Sequence, residues 1–340
     1  MKPTRLLSAC ALAILCSCDG SLIGAPAASD RVSVFDDLWR QVDLHYSFFA
    51  LKGINWDSLG AVYRPRAANA TTDAALADVL SRMLAELADV HVSLTPTGST
   101  TLRYVARFEI APTFFDASRV FRRYVTVPTA PSAGHVRFGR LAPDVGYISV
   151  PSFLGSGWVN EMDSAIAALA GVTSMIVDVR DNGGGNQPLA IDVAGRFADR
   201  TRTFGYVRRR NGPAHTDFTD YAPQTITPSG PAQFTRPVYV LTNRKSASSA
   251  EDFVQAMHAL PNVKTVGDST AGAAGGPIVR ELPNGWTYQL STWIEYGLDR
   301  TPFEGIGLVP DVLVKASATD AQRDADPALE RALALAKSGS

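Results

Sequence analysis

From Val145 to Val266 the chain repeats one pattern: a short apolar run, a turn, then a stretch of helical spacing. Val145-Gly146-Tyr147-Ile148-Ser149-Val150, Ser174-Met175-Ile176-Val177-Asp178-Val179 and Val238-Tyr239-Val240-Leu241-Thr242 have strand length, and Val263–Val266 is a shorter fourth run. Runs that are apolar almost throughout suit strands buried on both faces, the setting of a parallel sheet covered by helices. Trp158, Met162, Ile166 and Leu169 recur at helical spacing behind the first run. Leu189, Ile191, Val193 and Phe197 suit a helix behind the second, and Phe253, Met257 and Leu260 one behind the third. Such alternation predicts an α/β layered domain with a largely parallel sheet.

The flanking regions read differently. Phe35, Leu38, Trp39 and Val42 form one helical face beginning at Ser33. A turn-rich piece follows from Lys52 to Asn69. A clear amphipathic helix then starts near Thr71 or Thr72 and carries Leu76, Val79, Leu80, Met83, Leu84 and Leu87. Residues 97–140 read as short strand-like pieces broken by Pro and Gly. Pro283-Asn284-Gly285 marks a hairpin turn, and 325–337 a closing helix.

Met1-Lys2-Pro3-Thr4-Arg5 followed by an apolar run to Cys16 reads as an export signal, too short to span a bilayer. All three cysteines, Cys10, Cys16 and Cys18, lie in this part, and Leu15-Cys16-Ser17-Cys18 resembles a lipobox with Cys18 as the acylated residue. Leu7-Ser8-Ala9-Cys10 fits the same pattern after fewer apolar residues, and cleavage near Ala25–Ala28 is the alternative. The expected division is a lipoprotein-type signal peptide at 1–17, a tether at 18–31, an N-terminal helical region at 32–95 and a core at 96–340. Localisation in the cell envelope or periplasm follows, with lipid anchoring at Cys18. A chain of 340 residues with net charge −1 and no basic tract offers no nucleic-acid surface. His-Glu-x-x-His is absent, and the mature chain has no His or Cys cluster, so neither metal nor cofactor is expected.

Four features could carry chemistry. His91 sits where helical spacing gives way to alternation, in Leu87-Ala88-Asp89-Val90-His91-Val92-Ser93-Leu94; a lone histidine there is equally a satisfied core residue. Asp181-Asn182-Gly183-Gly184-Gly185-Asn186 joins a strand to a helix, as a glycine turn with positive φ or as a backbone cradle for negative charge. Lys245-Ser246-Ala247-Ser248-Ser249-Ala250-Glu251 also joins strand to helix. Its Ser248-x-x-Glu251 spells a capping box, yet a hydroxyl at a helix N-terminus lies where an oxyanion would be stabilised. Glu304 precedes Gly305-Ile306-Gly307, as a solvated carboxylate or as the orienter of a histidine.

Taken together, these pieces resemble the tricorn and C-terminal-processing serine peptidase family (clan SK), in its tricorn-type branch. The resemblance runs from about residue 33 to 315. Val-Gly-Tyr-Ile-Ser-Val-Pro-Ser-Phe at 145–153, Gly-Asp-Ser-Thr-Ala-Gly at 267–272 and Glu-Gly-Ile-Gly-Leu-Val-Pro-Asp at 304–311 carry it alongside the stretches above. It implies a crotonase-like (ClpP/crotonase-type) layered core with a small N-terminal helical region. It also implies a serine endopeptidase acting on peptide or unfolded protein substrates. Ser248 would be the nucleophile, His91 the base and Glu304 its orienter. Gly184, with Gly183, and the backbone of Ser249 would form the oxyanion hole. The segment Ala271–Gly275 holds no lysine, which disfavours the Ser–Lys dyad of the processing peptidases. Val90 stands where tricorn has a supporting serine, and the span from Leu94 to Val145 is too short for a PDZ domain. The alternative is a non-catalytic module binding an apolar ligand or peptide on the same fold. Acyl-CoA chemistry is a third reading, which export would deprive of its cofactor.

Overall fold

The structure, a computed structural model, describes residues 30–98, 104–105, 113–128 and 135–338. Its main sheet has seven strands in the spatial order Val312–Leu313, Val263–Gly267, Val238–Thr242, Ser174–Asp178, Val145–Ser149, Arg137–Ala142 and Val127–Pro128. The first five run parallel, Arg137–Ala142 runs antiparallel to them, and Val127–Pro128 pairs antiparallel with Arg137–Ala142. Met175, Val177, Val238 and Val240 enter one apolar cluster with the helices Val159–Ala168, Gln187–Ala194 and Ser249–His258. Tyr147, Ile176, Tyr239 and Leu241 enter a second, under the closing helix Pro327–Ser338. Alternate residues of one strand therefore serve opposite cores, which explains why these runs carry almost no polar positions. The fold is thus a mixed α/β layered core with a small N-terminal helical region.

That region is built from the helices Arg31–His45, Trp56–Ala68 and Asp73–Ala85. The third starts at Thr72, whose Oγ1 accepts the Ala75 amide at 3.2 Å. Trp56, Leu38 and Leu80 share a buried cluster with Trp286, Tyr288 and Leu290 of the C-terminal half. The short strand Ser93–Thr95 pairs antiparallel with Thr287–Ser291, whose other neighbour is Pro277–Glu281 across the Asn284-Gly285 turn. An early segment is thereby sewn to a late one. This pairing carries residue 91 toward residues 248 and 304.

Two expectations need correction. The piece from Lys52 to Asn69 is mostly the helix Trp56–Ala68, capped by Asn55, whose Oδ1 accepts the Ser58 amide at 3.0 Å. Its buried face is Trp56, Gly60, Tyr63 and Ala67; two small residues at helical spacing gave no apolar stripe to read. Smallness is needed there, since a Cβ on Gly60 would lie 2.5 Å from Trp39 Nε1. Within 97–140, Ala117–Tyr124 is helical, not strand-like. A three-stranded sheet, Trp293–Tyr296, Arg202–Arg209 and Ala222–Ile226, was not anticipated.

Candidate active site

The turns after the strands Ser174–Asp178 and Val238–Thr242 lie side by side at the carboxyl ends of the parallel sheet, the usual place for a site in such folds. Ser248 lies at the N-terminus of the helix Ser249–His258 with φ 55° and ψ −129°. A non-glycine residue in that region stores strain of about 1–3 kcal/mol, sustained only where the surroundings over-determine it. Here they do. The Ser248 amide donates to Glu251 Oε2 at 3.0 Å, and the Ala247 amide donates to the Asn182 carbonyl at 3.0 Å. Gly184, at φ +94°, packs so closely that a Cβ would meet Ser248 Cβ at 2.8 Å and the Ala247 carbonyl oxygen at 2.7 Å. Ser246 is buried and committed elsewhere: its hydroxyl donates to the Val179 carbonyl at 2.8 Å and accepts the Asn243 amide at 3.1 Å.

Glu251 holds more than the serine. Fully buried, it also accepts Thr270 Oγ1 at 2.6 Å and the amides of Gly272 and Ala273 at 2.7 Å each. Burial pushes its carboxyl above the usual range, and these donors pull the other way. The capping and chemical readings of Ser248-x-x-Glu251 therefore coexist. Glu251 returns to the Ser248 amide while the Ser248 hydroxyl lies 3.2 Å from His91 Nε2.

His91 follows a turn strained at Ala88, φ 45°. Its amide donates to Asp89 Oδ1 at 2.8 Å. The ring is almost wholly enclosed, and burial lowers its pKa below the ordinary 6.5; Asp89 opposes that shift and Lys52 adds to it. Glu304, expected against the ring, is bonded elsewhere. Its Oε1 accepts Lys52 Nζ at 2.8 Å and its Oε2 accepts the Ala274 amide at 2.9 Å. Burial first and the neighbouring Asp89 second push its carboxyl up to about 7, against the pull of Lys52. Both oxygens nevertheless accept, the arrangement of an ionised group.

The amides named for the oxyanion differ among themselves. That of Gly184 donates to Asn182 Oδ1 at 2.9 Å, while those of Gly183 and Ser249 have no hydrogen-bond partner among the described residues. Ser249 Oγ donates to the Gly185 carbonyl at 2.9 Å, tying the two turns together. A cavity of about 300 Å³ opens beside Ser248, lined among others by Gln187, Trp293, Asp252 and Glu295. Burial raises Asp252 to about 7, with the Glu251 charge adding and hydrogen bonding to Gln187 and Glu295 opposing; burial and the charge of Asp252 raise Glu295 well above the carboxylate range. Lys245, nearest the serine in sequence, sits 3.6 Å from Asp181. Cys18 and the leader lie outside the described residues.

Sequence reading passed over Asp89, Lys52 and Glu251. Asp89, two residues before the histidine, was within the quoted junction. Glu251 was read only as a cap. Lys52 stands 252 residues from its partner Glu304, and no spacing rule reaches that far.

The family model described as Peptidase family S41 matches residues 144–314, and that of the Tricorn protease C1 domain matches residues 28–85. The carboxy-terminal processing protease CtpA of Bacillus subtilis (strain 168) is 28% identical over 150 residues, 44% of this chain and 30% of that protein. The carboxyl-terminal-processing protease of Synechocystis sp. is 25% identical over 191 residues, 56% of this chain and 42% of that one. The chain thus spans less than half the length of these curated relatives. Among solved structures, a putative peptidase from Parabacteroides merdae superposes with TM-score 0.81 at 34% identity, covering 91% of this chain and 97% of that one. Mature CPAF shares the fold at 13% identity, with TM-score 0.71 over 91% and 96% of the two chains.

Proposed function

The chain belongs to peptidase family S41, and from that premise we propose that it is a serine endopeptidase cleaving peptides or unfolded exported proteins. The observation that carries the reading is the 3.2 Å approach of His91 Nε2 to Ser248 Oγ at a strained strand-to-helix turn. For this contact to serve catalysis, Nε2 accepts the hydroxyl proton and Nδ1 carries the ring hydrogen. Ser248 Oγ attacks the scissile carbonyl as Nε2 takes its proton, and the imidazolium then gives that proton to the leaving amine. Burial lowers the His91 pKa and so favours the neutral ring, the form that can act as base. The open amides of Ser249 and Gly183 receive the oxyanion, at ~3 kcal/mol per donor, while that of Gly184 is held by Asn182 Oδ1. Glu304 is paired with Lys52, the cation whose charge is felt at the ring. Labelling with a fluorophosphonate and mass mapping of the adduct tests the assignment. The adduct should fall on Ser248 and vanish in Ser248→Ala, while Ser246→Ala should retain it. An adduct that survives Ser248→Ala would overturn the reading.

Export and anchoring belong to the same proposal. No helix among the described residues is long and apolar enough to cross a membrane, and attachment would rest on acyl chains at Cys18. Incorporation of labelled palmitate that disappears in Cys18→Ala checks this.

A further inference from the structure

The histidine end of the site holds two buried polar atoms with nothing to bond. His91 Nδ1 and Asp89 Oδ2 are both enclosed and without a hydrogen-bond partner. Asp89 is fully buried, and its Oδ1 lies 3.9 Å from Nδ1, beyond hydrogen-bond reach by roughly 1 Å. A buried donor and a buried acceptor left unmade are each expensive. The nearer oxygen, Oδ1, already accepts the His91 amide but has a second lone pair, and a small turn of the carboxylate would bring an acceptor within reach of Nδ1. The charged groups felt at the ring are Asp89, from the turn before it, and Lys52, from the early helical region; Glu304, from the late loop, acts on Asp89 and Lys52 and not directly on the ring. Lys52 is committed to Glu304, and also donates to the Leu87 and Ala88 carbonyls of the Asp89 turn. One cation therefore matches one carboxylate. The only ion-pair contact of Asp89 among the described residues is with His91 itself.

We propose that Asp89 is the positioning residue for His91: its carboxylate takes the Nδ1 hydrogen when the ring is protonated, while Lys52 and Glu304 neutralise each other beside it. The proposal deepens the peptidase reading and rests on it for its place in turnover. With both carboxylates ionised, they and Lys52 carry a net charge of −1 while the ring is neutral, and the sum reaches zero when His91 holds the proton from Ser248. The attraction is thus strongest when the imidazolium exists, which is the condition for lowering a barrier and not merely tightening the resting state. It also answers Val90: a valine between Asp89 and His91 offers the ring no hydroxyl, and the carboxylate one residue earlier supplies the acceptor.

The test is NMR of the histidine side chains in the intact protein, with the His91 signals assigned by loss in His91→Gln. In the wild type at low pH a downfield Nδ1 proton should appear. Asp89→Asn keeps an oxygen for the His91 amide but removes the charge. It should abolish that signal and lower the His91 pKa by about one unit or more. Glu304→Gln should leave the signal in place. Absence of the signal in the wild type, its survival in Asp89→Asn or its loss in Glu304→Gln overturns the proposal. Lys52→Met leaves Asp89 untouched and gives a second, opposite readout. The His91 pKa should rise, and a fall contradicts the charge arrangement. Fluorophosphonate labelling on the same samples should slow by roughly 10²- to 10⁴-fold in Asp89→Asn. An unlabelled wild-type serine with the downfield proton intact would instead fail the peptidase reading and leave the Asp89–His91 pair standing.

Discussion

The two halves of the site are built on opposite principles. On the serine side the polar side chains that hold the turn are spoken for, and of the amides named for the oxyanion only those of Gly183 and Ser249 stay open among the described residues. Glu251 accepts from Ser248, Thr270, Gly272 and Ala273, Ser246 is locked between Val179 and Asn243, and Ser249 ties itself to Gly185. On the histidine side the ring meets Ser248 Oγ through Nε2 and has an idle Nδ1, the bond to Asp89 being made by the His91 backbone amide. A strained nucleophile must be held at rest, because its conformation is unfavourable by itself. A base need not be, because its charge appears only during reaction. The contrast teaches that substitutions on the serine side should show first in stability, and those on the histidine side first in pH dependence and rate.

The largest effect is expected from Ser248→Ala, which should lower turnover by about 10⁶-fold without lowering the melting temperature. A pronounced drop in melting temperature would mean that the hydroxyl itself organises the turn. Next comes Glu251→Gln, which turns an acceptor that serves four donors into a group whose amide opposes some of them. It should cost about 3 kcal/mol of stability and slow labelling of Ser248 by roughly 10²-fold, read by denaturant unfolding and fluorophosphonate kinetics. If stability is unchanged while rate collapses, Glu251 is part of the chemistry and the comparison breaks. A smaller effect of opposite sign is expected from Ser248→Gly: relief of the φ 55° strain should stabilise the fold by about 1 kcal/mol.

These expectations bear on how far the sequence alone could reach. The parallel sheet was legible because strands covered on both faces become unbroken apolar runs, as at 174–179 and 238–242. The helix Trp56–Ala68 was not, because its inward face is half glycine and alanine. Nor was the three-stranded sheet. Arg202–Arg209 is half-exposed and charged at several positions, so no run marks it. In the site, Ser248, His91 and the glycine turn stood out because each interrupts a periodic element. Lys52 opposite Glu304 could not be read, since their meeting depends on the pairing of Ser93–Thr95 with Thr287–Ser291. Local pattern reports where a chain bends; it does not report which distant charges a bend brings together.

The cavity beside Ser248 supplies the last and mildest way to sharpen the comparison. Asp252 lies on the helix that carries the serine at its N-terminus and faces Glu295 across the cavity. Asp252 is raised to about 7 and Glu295 well above the carboxylate range, both chiefly by burial. A carboxyl raised in the folded state favours folding most when protonated. Its contribution is complete below the unfolded value near 4 and is lost as pH rises through the folded one. Glu304 and Glu251 act in the same direction, while His91, lowered by burial, acts in the other. Raising the pH from 5 to 8 should therefore reduce the melting temperature. Asp252→Asn should shrink that reduction by a few degrees at most, about the size of a 1 kcal/mol change, because one raised carboxyl is removed and Glu295 then ionises against the Glu251 charge alone. On the histidine side, Asp89→Asn should also flatten the slope, through Glu304, whose shift it partly relieves, and through His91, whose pKa it lowers further. The two substitutions should add; were the double substitution to fall well short of the sum, the two halves would share one electrostatic network, and the division between a held nucleophile and a waiting base would fall.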